Sequence, residues 1–152
     1  MTGSGMTGSG MTEPRLRGEF PVLRTISTRW DDEDIYGHVN NVVYYSFFDT
    51  AVNGFLIEAS GVDIRGLPAI GLVAESRCEF LAGLRFPGDV QAGLAVERLG
   101  TSSIIYRLGL FQGDSGEPAA IGRFVHVYVD SETRKVAPVP ETILDAVRPL
   151  VF

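Results

Sequence analysis

An apolar stripe in the first half of the chain is the feature that most limits its fold. Tyr44, Phe47, Phe48, Ala51, Val52, Phe55, Leu56 and Ala59 recur at intervals of three and four. That spacing lines one wide face of an α-helix. Asn40 or Asn41 suits the N-cap and Gly61 the stop. At 1.5 Å per residue such a helix is about 30 Å long, enough to cross a small domain. Gly54 inside it costs about 1 kcal/mol relative to alanine and points to a close approach of the backbone to a strand. One helix cannot bury so wide a face alone, so the remaining chain must wrap around it.

That remaining chain alternates with period two. Residues 20–30 are expected to form a first strand, with Ile26, Thr28 and Trp30 on one face. In 70–80, Leu72, Ala74, Ser76, Cys78 and Phe80 oppose Glu75, Arg77 and Glu79. Residues 89–98, 102–111 and 119–130 continue the pattern, the last two joined by the polar turn Gly113 to Pro118. Pro140 opens a short helical stretch that Pro149 ends. The order is strand, long helix, four strands: an α+β chain in which an antiparallel five-stranded sheet wraps one central helix, its other face largely polar.

The 152 residues suit one domain with a single sizeable core. Residues 1–16, opening on a repeated MTGSG, are expected to be a flexible tail and 17–152 the folded domain. The tail holds a formal G-x-G-x-x-G at Gly3, Gly5 and Gly8, but no strand precedes it and it is set aside. With 13 basic and 19 acidic residues the net charge is −6, which argues against nucleic acid as a partner. No apolar run is long enough for membrane insertion, and no signal-peptide pattern opens the chain, so a cytoplasmic location is expected. One cysteine, Cys78, excludes an internal disulfide and alternates with inward residues as a core thiol.

Chemistry concentrates in Arg29 to Asp49, RWDDEDIYGHVNNVVYYSFFD. Carboxylates, a glycine permitting a tight turn and a helix start follow one another directly. A helix N-terminus offers free backbone N–H groups and partial positive charge. A thioester carbonyl there would have its oxyanion stabilised by the amide of Asn41 or a neighbour. A carboxylate a few residues earlier can activate water or attack directly. His38 as a catalytic base stays open beside a hydrogen-bonded structural role in the turn, while the remaining readings fail. Asp32-x-Asp34 begins like a calcium loop, but Tyr36 and Val43 fall where oxygen ligands are needed. His38, His126 and Cys78 have no useful spacing for a metal, and none is expected. Ser115 sits in a hairpin turn. Asp31, Asp32 and Glu33 are expected to face solvent or form the turn.

The run from Trp30 through Asp34, Gly37-His38-Val39-Asn40-Asn41, Tyr44 and Phe48-Asp49 resembles the signature of 4-hydroxybenzoyl-CoA thioesterase-like hot-dog proteins. The element order matches as well, over about residues 17–150. The resemblance implies a cytoplasmic hydrolase of an acyl-CoA or acyl-carrier-protein thioester, needing no cofactor. It implies Asp34 as nucleophile or general base and the Asn41 backbone amide as oxyanion donor. It has His38 shape the turn, Tyr44 or Phe48 line an acyl pocket, and Arg85, Ser102 and Ser103 take the pantetheine or nucleotide side. It also implies a homodimer or homotetramer, with the site at the dimer interface. Where that family commonly continues acidic-x-Ala-Arg, this chain has Asp49-Thr50-Ala51-Val52, so the arginine's ion pair is missing. The alternatives are a hot-dog hydratase of enoyl or hydroxyacyl thioesters and a non-catalytic acyl-thioester-binding protein.

Overall fold

A computed structural model describes residues 12–152. The apolar stripe becomes α1 (Asn41–Ser60), capped by the Asn40 side chain and ended by Gly61 at φ +74°. Five strands follow the expected order: β1 (Val22–Ser27), β2 (Ala69–Phe80), β3 (Asp89–Leu99), β4 (Ser103–Gln112) and β5 (Ala120–Asp130). A short α2 (Glu141–Val147) follows. All strand pairs are antiparallel, in one sheet of order β1-β3-β4-β5-β2. β3, β4 and β5 form a meander, while β1 and β2 lie at opposite edges.

Phe48, Ala51, Val52 and Leu56 of α1 are buried against Leu94, Leu108, Leu110 and Phe124 of the sheet, with Ile143 and Val147 of α2 completing the core. Phe48 lies so close to β5 that a Cβ on Gly122 would stand 2.5 Å from its ring. At Gly54, expected to mark a close approach of the backbone to a strand, the neighbour is a side chain: the Arg24 guanidinium from β1 lies 2.9 Å from where a Cβ would stand.

Four expectations need correction. The outer face is not simply polar, because Phe20, Ala95, Phe111, Ile121 and Phe152 form a second small core upon it. β1 ends at Ser27, and Trp30 opens a 3-10 turn (Trp30–Asp32) where it is 76% exposed rather than sharing a strand face with Ile26. β2 alternates in sequence but is exposed along most of its length, since it is an edge and its register shifts between Val73 and Glu75. Packing also begins ahead of Arg17. Arg107 donates to the Pro14 carbonyl and, at 3.0 Å, to Glu13. Residues 1–11 of the expected tail, including Gly3 to Gly8, lie outside the described residues.

Candidate active site

Between β1 and α1 the chain closes a small hairpin. Glu33 bridges Val39, the Asp34 N–H donates to the His38 carbonyl at 2.9 Å, and the Gly37 N–H returns to Asp34 at 3.2 Å. Gly37 takes φ +79°, a conformation open to glycine at little cost, which explains why the turn needs it. The Asp34 Oδ1 accepts from the Tyr36 N–H at 2.8 Å. Its other carboxylate oxygen takes no hydrogen bond from the described residues, and the side chain is half-buried.

Directly after the hairpin comes the start of α1. The Asn40 N–H donates to the Asp32 carbonyl at 2.8 Å, which ties the helix cap to the acidic turn. Asn40 Oδ1 then takes the Val42 N–H at 3.0 Å, and the Asn40 carbonyl takes that of Val43 at 2.9 Å. Asn41 is exposed, and its N–H has no partner among the described residues. That is the free amide a helix start offers to an anion.

The acidic run divides by role. Asp31 faces solvent as expected. Asp32 does not: it is 1% exposed and accepts from the Arg29 backbone N–H at 2.7 Å and its guanidinium at 2.9 and 3.1 Å. Burial of a carboxylate requires such donors, and the 3-10 turn brings Arg29 round to supply them. Glu33 is half-buried and accepts from the Phe86 N–H at 2.8 Å.

Arg85 joins this cluster. Its guanidinium donates to the Gly37 carbonyl at 3.2 Å and meets His38 Nε2 at 3.3 Å. A guanidinium only donates, so Nε2 is the accepting atom in this contact. Gln112 clamps the Arg85 backbone from both sides, at 3.0 and 2.8 Å, a contact across the fold that no local motif announces.

Four residues expected on the substrate side have other surroundings within one chain. Tyr44 is 2% exposed, and its hydroxyl donates to the Ala82 carbonyl and accepts the Leu84 N–H at 3.1 Å. Burial pushes that phenol above its ordinary range, more than the Leu84 N–H lowers it. Tyr44 therefore anchors the 81–85 loop. Phe48 is fully buried beneath β5, its ring 5.7 Å from that of Phe124. Ser102 and Ser103 sit at the β3–β4 turn, whereas the Asp34 hairpin lies by the Asp89 end of β3, next to β1. The ten steps of β3 between Asp89 and Leu99 separate them by about 30 Å within one chain.

Around the hairpin the surface is apolar and open: Trp30, Ile35, Tyr36 and Val42 are 74–92% exposed. A groove of about 710 Å³ lies away from the hairpin, on the outer face of the sheet. Arg107 and Arg123 there are paired internally with Glu13, Glu75 and Glu97.

A five-stranded antiparallel sheet closed on one long helix, with a carboxylate hairpin at the helix start, defines a hot-dog protein. The family model described as the thioesterase-like superfamily matches residues 28–147, and the chain belongs to that superfamily. The PA5185 protein of Pseudomonas aeruginosa is 50% identical, with a TM-score of 0.86 over 90% of this chain and 96% of its own. The PA2801 protein of the same organism is 30% identical, with a TM-score of 0.75 over 82% and 95%. A thioesterase from Thermus thermophilus, solved in complex with coenzyme A and Zn, is 29% identical, with a TM-score of 0.71 over 85% and 98%. These likenesses support thioester hydrolysis in general. Among the described residues no helix is long and apolar enough to cross a membrane.

Proposed function

We propose that the protein hydrolyses an acyl-CoA thioester, with Asp34 as the catalytic carboxylate and the Asn41 amide as oxyanion donor. One observation carries the reading: a carboxylate with one oxygen unengaged stands in a hairpin that leads into a helix whose first N–H is also unengaged. The Tyr36 N–H orients the carboxylate, leaving the other oxygen to attack the carbonyl or take a proton from attacking water. Negative charge on the carbonyl oxygen then meets the Asn41 N–H, the C–S bond breaks and the thiolate leaves to take up a proton; where Asp34 itself attacks, water then hydrolyses the acyl-Asp34 anhydride and frees the carboxylate. One such amide is worth about 10²–10³ in rate. Arg85, held beside His38, is the cation nearest the hairpin and takes a phosphate of the CoA arm. The coenzyme A bound by the Thermus relative supports CoA as carrier.

The active form is a homodimer built on β2. A 12-residue edge strand presents unpaired backbone groups, and Leu72, Val73, Phe80 and Leu81 on and after it are 42–46% exposed. Such an edge is a template for pairing with another strand. Free-thiol release from aliphatic and aromatic acyl-CoAs, by wild type and Asp34→Ala, tests the chemistry. Turnover that collapses in a folded variant is expected. A fully active variant would place the chemistry on another group.

A further inference from the structure

Residues 81–88, between β2 and β3, lie outside helix and strand, so their backbone groups need partners from elsewhere in the fold. The Tyr44 hydroxyl takes the Leu84 N–H at 3.1 Å. The Val39 N–H donates to the Leu84 carbonyl at 2.8 Å, and the Thr28 hydroxyl to the Gly88 carbonyl at 2.7 Å. Between these fixed points stand Arg85 and Phe86, gripped from two sides. Gln112, at the end of β4, accepts the Arg85 N–H at 3.0 Å and donates to the Arg85 carbonyl at 2.8 Å. The Glu33 carboxylate accepts the Phe86 N–H at 2.8 Å, and the Trp30 ring meets that of Phe86 edge-on at 5.9 Å.

Glu33 has a third use within the acidic run. Its backbone is extended (φ −82°, ψ 144°), which turns its side chain away from that of Asp34. Asp34 is left to one side of the hairpin, while Glu33 reaches across to the 81–88 segment. The partner it takes there matters. A carboxylate beside an arginine ordinarily pairs with it. Here Glu33 takes the neighbouring amide instead, and no carboxylate pairs with Arg85 among the described residues. The guanidinium meets two neutral acceptors, the Gly37 carbonyl at 3.2 Å and His38 Nε2 at 3.3 Å. Arg85 is exposed, so its charge stays available to an anion from outside.

We propose that Glu33 and Gln112 are positioning residues for Arg85: by gripping the chain at 85–86 they fix the root of the guanidinium at the hairpin and so set the affinity for the carrier's phosphate. The inference rests on the reading of Arg85 as that phosphate's cation. Arginine is long and rotamer-rich, and ordering it is part of the cost of binding. A root already fixed lowers that cost before the ligand arrives. Two grips are needed because they act on different groups. Gln112 fixes the position of the Arg85 peptide, and Glu33 fixes the peptide that follows it, against the hairpin that also supplies Gly37 and His38. Both act through Arg85 and neither supplies charge to the phosphate. Glu33, being negative, would by charge alone weaken the binding that its grip strengthens.

That opposition of signs makes the test sharp. Calorimetry of coenzyme A binding to the full chain reads the effect without depending on turnover. Arg85→Ala, Glu33→Leu and Gln112→Leu should each weaken binding about tenfold. Glu33→Gln, which keeps an oxygen for the Phe86 N–H, should stay within about twofold of wild type. In an Arg85→Ala background, Glu33→Leu should cost nothing more, because its effect passes through the arginine. Where Glu33→Leu fails to fold, Gln112→Leu carries the same comparison. Wild type that binds no coenzyme A, or Arg85→Ala that binds as wild type does, would overturn the reading of Arg85 and this inference with it. A weakened Arg85→Ala beside folded Glu33→Leu and Gln112→Leu of full or increased affinity would overturn the inference alone. So would a tenfold loss from Glu33→Leu that persists without Arg85.

Discussion

Asp32 and Asp34 stand two positions apart and are put to opposite uses. Asp32 spends its carboxylate on Arg29 and its carbonyl on Asn40, so it holds the turn to the helix. Asp34 keeps one oxygen unengaged. Asp32→Ala is therefore expected to lower stability by about 1–3 kcal/mol, read by urea denaturation, because a buried hydrogen-bonded acceptor is lost. Its turnover should fall only as the helix start loosens. Asp34→Asn is expected to do the reverse: a loss of at least about a hundredfold in thiol release, with a denaturation midpoint close to that of wild type. If the two variants behaved alike, the division between them would be wrong. Asp34 was set apart in the sequence only by resemblance, and the burial of Asp32 was hidden there. Which of them is buried depends on Arg29 folding back through a 3-10 turn, and no periodicity encodes that. Tyr44 and Phe48 teach the same lesson from the other side. Their spacing marks the inner face of a helix, but whether that face opens to a pocket depends on what packs against it, here the 81–85 loop and Gly122.

Elements were more legible than residues. α1 was set out by its stripe and caps because helical periodicity and capping are local properties of the chain. Gly54 within it makes a quantitative case. Alanine there gains up to about 1 kcal/mol of helix propensity. Its Cβ would meet only the end of the flexible Arg24 side chain, displacing a pair with the exposed Glu58 that contributes little. Gly54→Ala should thus leave the melting temperature unchanged or raise it by a few degrees, and a sharp fall would mean Arg24 cannot move. Gly122→Ala should do the opposite, since its Cβ would press on the fully buried ring of Phe48 and a packed core has no room to yield. β2 shows where pattern stops. Its alternation identified two faces, yet the sequence does not say that a strand will be an edge, so its exposure was missed. Val73→Lys on that edge should give monomers by light scattering. Unchanged assembly would exclude β2 as the interface.

For the molecule as a whole, the class of fold followed from the order of elements, but the sheet order did not, because antiparallel pairing is decided by contacts distant in sequence. His126 escaped notice for a related reason. It alternates with Phe124 and Tyr128 on the inward face of β5, which was a readable sign of burial, but its lack of a partner is visible only once β2 and α1 enclose it. Its burial has a measurable consequence. Native His126 resists protonation, whereas the unfolded chain takes up a proton near pH ~6.5. The stabilisation is complete above that pH and is lost as the pH falls below it, because the unfolded state then binds more protons. Wild type should therefore lose stability more steeply than His126→Phe between pH 7 and 5. Parallel curves would show that His126 does not titrate differently on folding.

The sheet order also bears on how the molecule assembles in time. β3, β4 and β5 are joined by short turns and can pair through local contacts, whereas β1 and β2, neighbours along the chain, must reach opposite edges with α1 between them. Closing distant contacts is the slow part of folding. The meander should nucleate first, and the carboxylate hairpin, strung between β1 and α1, should be among the last parts to set. In stopped-flow refolding, sheet signal should therefore precede competence to release thiol. Amide exchange in the native protein should be slowest in β4 and β5 and fastest around Asp34, which leaves the carboxylate hairpin the part of the fold most easily opened.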